Sequence, residues 1–272
     1  MKFDFDSTYF NPLHTLDCGQ VFRFSPYKEG FLVNSADKIA YVHTDGAKTV
    51  VESEQTDYFY NYFDLGRDYS KIVDDVSKFN IPLLSRSAQM CRGLRILNQN
   101  REEMIYSFII SQNNNIPRIK GIINRICSAL GEKISSPFGE YYAFPTSSAL
   151  ADADISVFTN AGAGYRDIYL SETSKRICAE GIENLETLST KELKEKLLTY
   201  KGIGPKVADC VALFGFRKTD SFPVDTWIEK VYREDFNGTE SNREKIAKYL
   251  IDTFGENSGF VQQYLFYGIR LN

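Results

Sequence analysis

Lys206, Cys210 and Asp225 are the residues whose types and spacing suggest chemistry, and a glycine turn stands just before them. The stretch reads Tyr200-Lys201-Gly202-Ile203-Gly204-Pro205-Lys206-Val207-Ala208-Asp209-Cys210, then an apolar run, then Pro223-Val224-Asp225-Thr226-Trp227. Pro205 suits the first position of a helix, where a missing N–H costs nothing. A tight turn feeding a helix N-terminus presents free backbone N–H groups, which suit a phosphate. Lys206 falls in the first turn, where the positive end of the helix dipole opposes its charge and favours the neutral, nucleophilic amine. Cys210 follows at i+4 on the same face. Asp225 precedes a second helix and can cap it. The stretch therefore offers a phosphate grip, an amine nucleophile and a carboxylate partner.

The whole chain sets bounds on that chemistry. Its 272 residues are 43% hydrophobic and 25% charged, a globular composition. No run is long and apolar enough to span a membrane, so no membrane partner is expected. The start, Met1-Lys2-Phe3-Asp4-Phe5-Asp6, lacks a signal-peptide pattern. Five scattered cysteines fit reduced thiols and a cytoplasmic location better than a disulfide frame. The two histidines, His14 and His43, lie far from the central stretch, which argues against a histidine-based metal site or triad. Net charge is −4, but residues 1–75 hold 13 acidic against 7 basic residues. The remainder therefore carries a small positive excess, and phosphate binding needs only a local positive surface.

An α+β fold follows from the periodicities. Residues 1 to about 52 read as strands: Phe3 and Phe5, then Val21, Phe22 and Phe24, then apolar runs near 31–33, 39–42 and 49–51. Asp45-Gly46 signals a hairpin. An N-terminal antiparallel sheet domain with helices is expected over residues 1–95. A mainly helical region, in two subdomains with the last helix packing back, is expected over 96–272. Helices are expected over 82–96, 101–112, from the Asn113-Asn114-Asn115 break through Leu130, and over 147–153, 165–180, 190–200 and 242–254, with a last one from Asn257 or Ser258. Asn100 with Glu103, Ser189 with Glu192, and Ser241 with Glu244 have capping spacing. The segment holding Pro137, Gly139 and Pro145 reads as a loop.

Six patches, in chain order, resemble the 8-oxoguanine DNA glycosylases of the helix-hairpin-helix superfamily. They are Cys18-Gly19-Gln20-Val21-Phe22-Arg23, Asn113-Asn114-Asn115, Gly164-Tyr165-Arg166, Lys206 through Cys210, Pro223-Val224-Asp225, and Gln262 with Phe266. The resemblance covers nearly the whole chain. Endonuclease III-like members carry a four-cysteine iron–sulfur site near the C-terminus, and no cysteine follows Cys210 here. Lys206 favours the lysine-using, bifunctional type.

The resemblance implies a role for each residue. Lys206 attacks the sugar C1′ of a base extruded from the duplex, forming a Schiff base that permits strand cleavage. Asp225 stabilises the developing positive charge. Phe266 and Cys210 flank the base, Gln262 reads its Watson–Crick edge, and the Gly19 carbonyl accepts the N7–H that distinguishes 8-oxoguanine from guanine. Asn113 fills the vacated stack and Tyr165 wedges beside it. Arg118 and Arg166 donate to the orphaned cytosine. Gly202, Ile203 and Gly204 hold a phosphate. No cofactor is implied beyond a structural monovalent or calcium ion at the hairpin. The implied partner is double-stranded DNA with 8-oxoguanine opposite cytosine, and the protein is expected to act as a monomer in base excision repair. One departure stands out: Trp227 occupies a position where many relatives have a phosphate-contacting histidine. A glycosylase of this fold for another lesion, and a non-catalytic module that grips DNA backbone, remain the alternatives.

Overall fold

The computed structural model describes residues 1–271; Asn272, the last residue of the expected helical region, lies outside the described residues. The chain begins with β1 (Lys2–Asp6), α1 (Pro12–Leu16), β2 (Phe24–Tyr27), β3 (Gly30–Ser35), β4 (Lys38–Asp45) and β5 (Lys48–Glu52). The five strands form one antiparallel sheet in the order β1-β5-β4-β3-β2. Gly46, at a φ of +57°, makes the β4–β5 turn. Val33, Ala40, Val42 and Val51 pack with Phe10, Leu16, Phe59 and Phe63 into a core belonging to this sheet.

Helices α2 (Thr56–Tyr62), α3 (Tyr69–Ser77), α4 (Pro82–Met90), α5 (Arg101–Ser111) and α6 (Ile116–Leu130) follow. A hairpin of β6 (Lys133–Ser136) and β7 (Gly139–Tyr142) comes next. The remaining helices are α7 (Ser147–Asp152), α8 (Ile155–Asn160), α9 (Arg166–Glu180), α10 (Thr190–Leu197), α11 (Pro205–Phe216), α12 (Thr226–Glu234), α13 (Arg243–Phe254) and α14 (Ser258–Leu271). The α+β class read from the sequence is the class observed. The second core joins α3 to α14, with α11 on α5 and α14 back on α4. Helix α5 is buried along its whole centre, from Glu103 through Ile110.

Several local readings are corrected. The helix expected over 82–96 ends at Met90. Gly93 then turns with a φ of +81°, so close to Asn11 that a β-carbon would sit 2.6 Å from its nitrogen. The irregular run beyond it carries Arg95. That buried guanidinium donates to the carbonyls of Tyr9, Phe63, Asp64 and Arg67 and lies 3.9 Å above the Tyr69 ring. Long-range partners of this kind leave no periodic trace. Val21 and Phe22 alternate, yet they precede the strand; Val21 enters the sheet core and Phe22 the helical core. The Pro137–Gly139 segment is the β6–β7 hairpin and not a loop. Residues 155–160 form a short helix that the periodicity did not resolve. Asn242, not Ser241, caps α13, accepting from Glu244 N and Lys245 N. The helix expected to reach 200 stops at Leu197 and turns into the glycine hairpin.

One buried ion pair links the two parts. Arg23 Nη1 lies 3.3 Å from Glu103 Oε2, which also accepts from Ala36 N at 2.7 Å. Burial pushes the Glu103 carboxyl above its ordinary value, while Arg23 and the Ala36 N–H pull it back. A buried pair of this type is dependable only when hydrogen bonds saturate it, as they do here.

Candidate active site and nucleic-acid interface

The glycine hairpin between α10 and α11 is built from its glycines. Gly202 has a φ of +80°, and a β-carbon there would lie 2.5 Å from the Tyr169 ring. No other residue fits both the angle and the space. Gly204 caps α11 with no side-chain bond, and nothing lies within 4 Å of its missing β-carbon. That open approach, plus the unbonded N–H groups of the first helical turn, suits an anion. Ile203 contributes less than expected: its side chain is buried and its N–H already donates to Tyr200 O at 3.2 Å. Gln112 Nε2 donates to Gly202 O at 2.8 Å, fastening the hairpin to the end of α5.

Lys206 stands in the first turn of α11 in a cleft of about 430 Å³ with Gln112, Asn113, Gly204, Asp225, Thr226 and Arg243. Its side chain is solvent-accessible, yet its ammonium lies among protein groups, 5.7 Å from the centre of the Phe108 ring. Desolvation is the largest influence on that ammonium and lowers its pKa; Cys210 and Asp225 raise it, and the balance lies above the ordinary lysine value. This corrects the expectation drawn from the helix dipole alone. Burial pushes the Cys210 thiol up to about 11, so at neutral pH it is a thiol. Asp225 is then the formal charge of the two that holds the ammonium. Asp225 Oδ1 accepts from Trp227 N and Ile228 N, both at 3.0 Å, so the carboxylate caps α12 and faces the Lys206 cleft at once.

Asp209, which the sequence reading passed over, is buried beside this group. Lys194 Nζ lies 2.5 Å from its Oδ1, but off the hydrogen-bonding direction, so the two charges pair without a well-aimed bond. Burial raises the Asp209 carboxyl to about 6 against the pull of Lys194.

The expected base-reading residues lie on and against α14. Gly19 has a φ of +82°, and a β-carbon there would meet Phe266 Cε1 at 3.2 Å. The half-buried Phe266 ring carries Arg270 over it at 5.6 Å. Gln262 is buried; its Nε2 donates to Pro223 O at 3.3 Å and its Oε1 accepts from Gln263 at 2.7 Å. The Gln262 amide is thus already engaged two residues before Asp225.

The expected wedge forms a surface of its own. Asn113 is exposed at a φ of +44°, and its Nδ2 donates to Tyr165 Oη at 3.3 Å. Tyr165 is 50% exposed, a large apolar surface left open beside the cleft. Arg118 is exposed and donates to Gly162 O at 3.3 Å. Arg166 is placed otherwise than expected. Its guanidinium is buried, and it donates to the carbonyls of Gln112, Asn113 and Ala163. The Gln112 and Asn113 carbonyls follow the last turn of α5, where a cation is favoured, and the Ala163 carbonyl belongs to the turn before α9. Its donors are engaged in fixing the backbone that carries Asn113.

Residues 2–105 match the family described as "8-oxoguanine DNA glycosylase, N-terminal domain", and residues 106–254 match the "HhH-GPD superfamily base excision DNA repair protein" family. The fold superposes on the Clostridium acetobutylicum 8-oxoguanine glycosylase/lyase, solved with double-stranded DNA containing cytosine opposite 8-oxoguanine. The TM-score is 0.92 and the identity 36%, over 100% of this chain and 98% of that one. The chain belongs to the 8-oxoguanine DNA glycosylase family. MBOgg1, solved with a low-affinity DNA ligand, gives a TM-score of 0.93 at 33% identity over 99% of this chain and 96% of that one. The probable N-glycosylase/DNA lyase of Methanothermobacter thermautotrophicus is 29% identical over 78% of this chain and 73% of its own length. The chain matches 42% of the length of the Saccharomyces cerevisiae N-glycosylase/DNA lyase and 57% of the Arabidopsis thaliana one. The family is one of enzymes, N-glycosylases with DNA lyase activity, and a lysine beside a carboxylate in an open cleft is the equipment such chemistry needs. Among the described residues no helix is long and apolar enough to cross a membrane.

Proposed function

We propose that this protein is a bifunctional DNA glycosylase and AP lyase that removes 8-oxoguanine paired with cytosine through a Schiff base on Lys206. The observation that carries this is Lys206 on the first turn of α11, in one cleft with Asp225 and Asn113. The neutral amine adds to C1′ as the C1′–N9 bond breaks, and the departing base takes up a proton. Ring opening of the sugar gives the imine. Loss of a C2′ proton then expels the 3′ phosphate and cuts the strand. Asp225 stabilises the positive charge that develops on the sugar. The raised pKa of Lys206 means that its proton must leave before attack.

In this reading the base lies between Phe266 and Cys210, Gln262 meets its Watson–Crick edge, and the Gly19 carbonyl takes the N7–H. Cys210 and Gln262 are buried, so side chains must shift to admit the base. Asn113 fills the stack, Tyr165 wedges, and Arg118 is the arginine with donors to spare for cytosine. The N–H groups at Gly202 and Gly204 hold a backbone phosphate. The Tyr200, Lys201 and Gly202 carbonyls each accept a protein hydrogen bond, and no group of three or more metal-ligating side chains occurs among the described residues. A hairpin ion, if held, is better matched as monovalent than as calcium.

Borohydride trapping on an 8-oxoguanine:cytosine duplex tests the assignment. The wild type should give a covalent protein–DNA adduct and Lys206→Gln none. Equal trapping by the two removes Lys206 as nucleophile. A panel of duplexes with other lesions and other opposite bases, run alongside, should rank 8-oxoguanine opposite cytosine first; an alkylated or deaminated base excised ahead of it would reassign the substrate.

A further inference from the structure

Arg243 is a cation that shares the Lys206 cleft, yet neither the motif nor the proposed chemistry uses it. It opens α13, and it lines both cavities that Lys206 lines. One of these, about 520 Å³, also carries the acids Asp209, Glu229 and Glu244 and is a poor place for a phosphate. The other holds Gln112, Asn113 and Asn114, with Asp225 as the acid among its lining residues and Lys206 and Arg243 as the cations.

The guanidinium is oriented before any ligand arrives. Arg243 Nε donates to Glu229 Oε2 at 2.9 Å, while Arg233 takes Glu229 Oε1 at 2.7 Å. Two guanidiniums against one carboxylate leave the group net positive, and Arg243 in particular holds the Glu229 carboxyl below its ordinary range. With Nε engaged, neither Nη of Arg243 has a protein acceptor among the described residues. A fork fixed at its base, with both ends free, matches the bidentate geometry of a phosphate. Trp227, on the same helix as Glu229, offers no charge for that purpose.

We infer that Arg243 binds a backbone phosphate of the DNA in the cleft it shares with Lys206 and Gly204, as a second grip beside that of the Gly202–Gly204 hairpin. This rests on the proposed DNA chemistry, but its signature is separable from excision. Each phosphate neutralised by a protein cation releases counterions and adds about 0.9 to the slope of log affinity against log salt.

The test measures binding by fluorescence anisotropy over 50–200 mM NaCl, to a duplex carrying a tetrahydrofuran abasic analogue and to an undamaged duplex. Arg243→Gln should lower the slope by about 0.9, so the wild type loses about threefold more affinity than the variant across that range. Arg243→Met, which keeps the aliphatic stem, should do the same. Arg243→Lys should restore the slope with weaker absolute binding, because the fork is lost. Gln and Met variants that keep the wild-type slope overturn the assignment. A lowered slope in a protein whose wild type excises no 8-oxoguanine leaves Arg243 standing and removes the substrate reading instead.

Discussion

Gly19 and Phe266, far apart in sequence, are packed so closely that a β-carbon on Gly19 would lie 3.2 Å from Phe266 Cε1. The glycine is demanded twice, by this contact and by its φ of +82°. Gly19→Ala must therefore strain the loop by about 1 kcal/mol and push the Phe266 ring outward. The expected result is a melting temperature lower by roughly 2–4 °C, with 8-oxoguanine excision down at least tenfold and binding to undamaged DNA unchanged. Single-turnover excision checks it; a rate equal to the wild type would take the Gly19 carbonyl out of the base pocket.

Arg166 is the residue whose place differs most from its expected one. Its buried guanidinium satisfies carbonyls of Gln112, Asn113 and Ala163. Arg166→Met leaves those carbonyls without their charged donor, at a cost of about 3 kcal/mol and a melting temperature drop of roughly 6–12 °C. Arg166→Lys should recover little, because one ammonium cannot reach carbonyls spaced for a planar fork. Thermal unfolding of both variants decides it. A Met variant that melts with the wild type would return the guanidinium to solvent and to the cytosine.

The local structure around the proposed nucleophile was readable in the sequence because its parts are local. The Gly202–Gly204 turn, Pro205 and Lys206 are fixed by turn and helix-start chemistry, and Asp225 by its cap. The charge state of Lys206 was not readable. The helix-dipole argument sees only the first turn of α11, whereas Asp225 reaches the ammonium from another helix. The burial of Arg166 was hidden for a similar reason: Gln112 and Asn113, which hold it, lie more than fifty residues earlier. Arg95, Asp209 and Arg243 gave no signal, since each acquires meaning only from partners brought by the tertiary fold. The first five strands and the long helices followed their periodicities; the errors fell at ends and turns, where a close contact such as Gly93 on Asn11 decides, and at the β6–β7 hairpin and α8, which are too short to show a period.

Asp209 makes the fold sensitive to pH in a direction opposite to most carboxylates. Burial holds its folded pKa at about 6, above the unfolded value near 3.8. Between those values the native state binds the extra proton, so stability is lost as pH rises through about 6. The loss is on the order of 2 kcal/mol between pH 4.5 and 7.5. Asp209→Asn abolishes this titration. The difference in melting temperature, variant minus wild type, should therefore become more positive by several degrees as pH is raised from 5 to 7.5. A difference that stays flat or falls would mean that Lys194 holds Asp209 ionised throughout.

Trp227 is the only tryptophan in the chain, so its fluorescence reports on one place. It is 48% exposed, in the first turn of α12, and its backbone N–H donates to the Asp225 carboxylate. Among the described residues its indole has neither a stacked ring nor a hydrogen-bond partner. An apolar ring left open two residues from the carboxylate at Lys206 is positioned to meet the DNA, and base–aromatic stacking contributes about 1–3 kcal/mol. Lesion-containing duplex should quench the emission more than undamaged duplex does. Trp227→Ala should weaken binding roughly 5- to 150-fold, while Trp227→Phe, which keeps the ring and loses the N–H, should stay near the wild type. If instead Phe fails and Trp227→His succeeds, the indole acts as a phosphate donor and the stacking role is wrong. Emission unchanged at saturating DNA would put the ring outside the interface, and the departure from histidine at this position would then concern the solvent face of α12 alone.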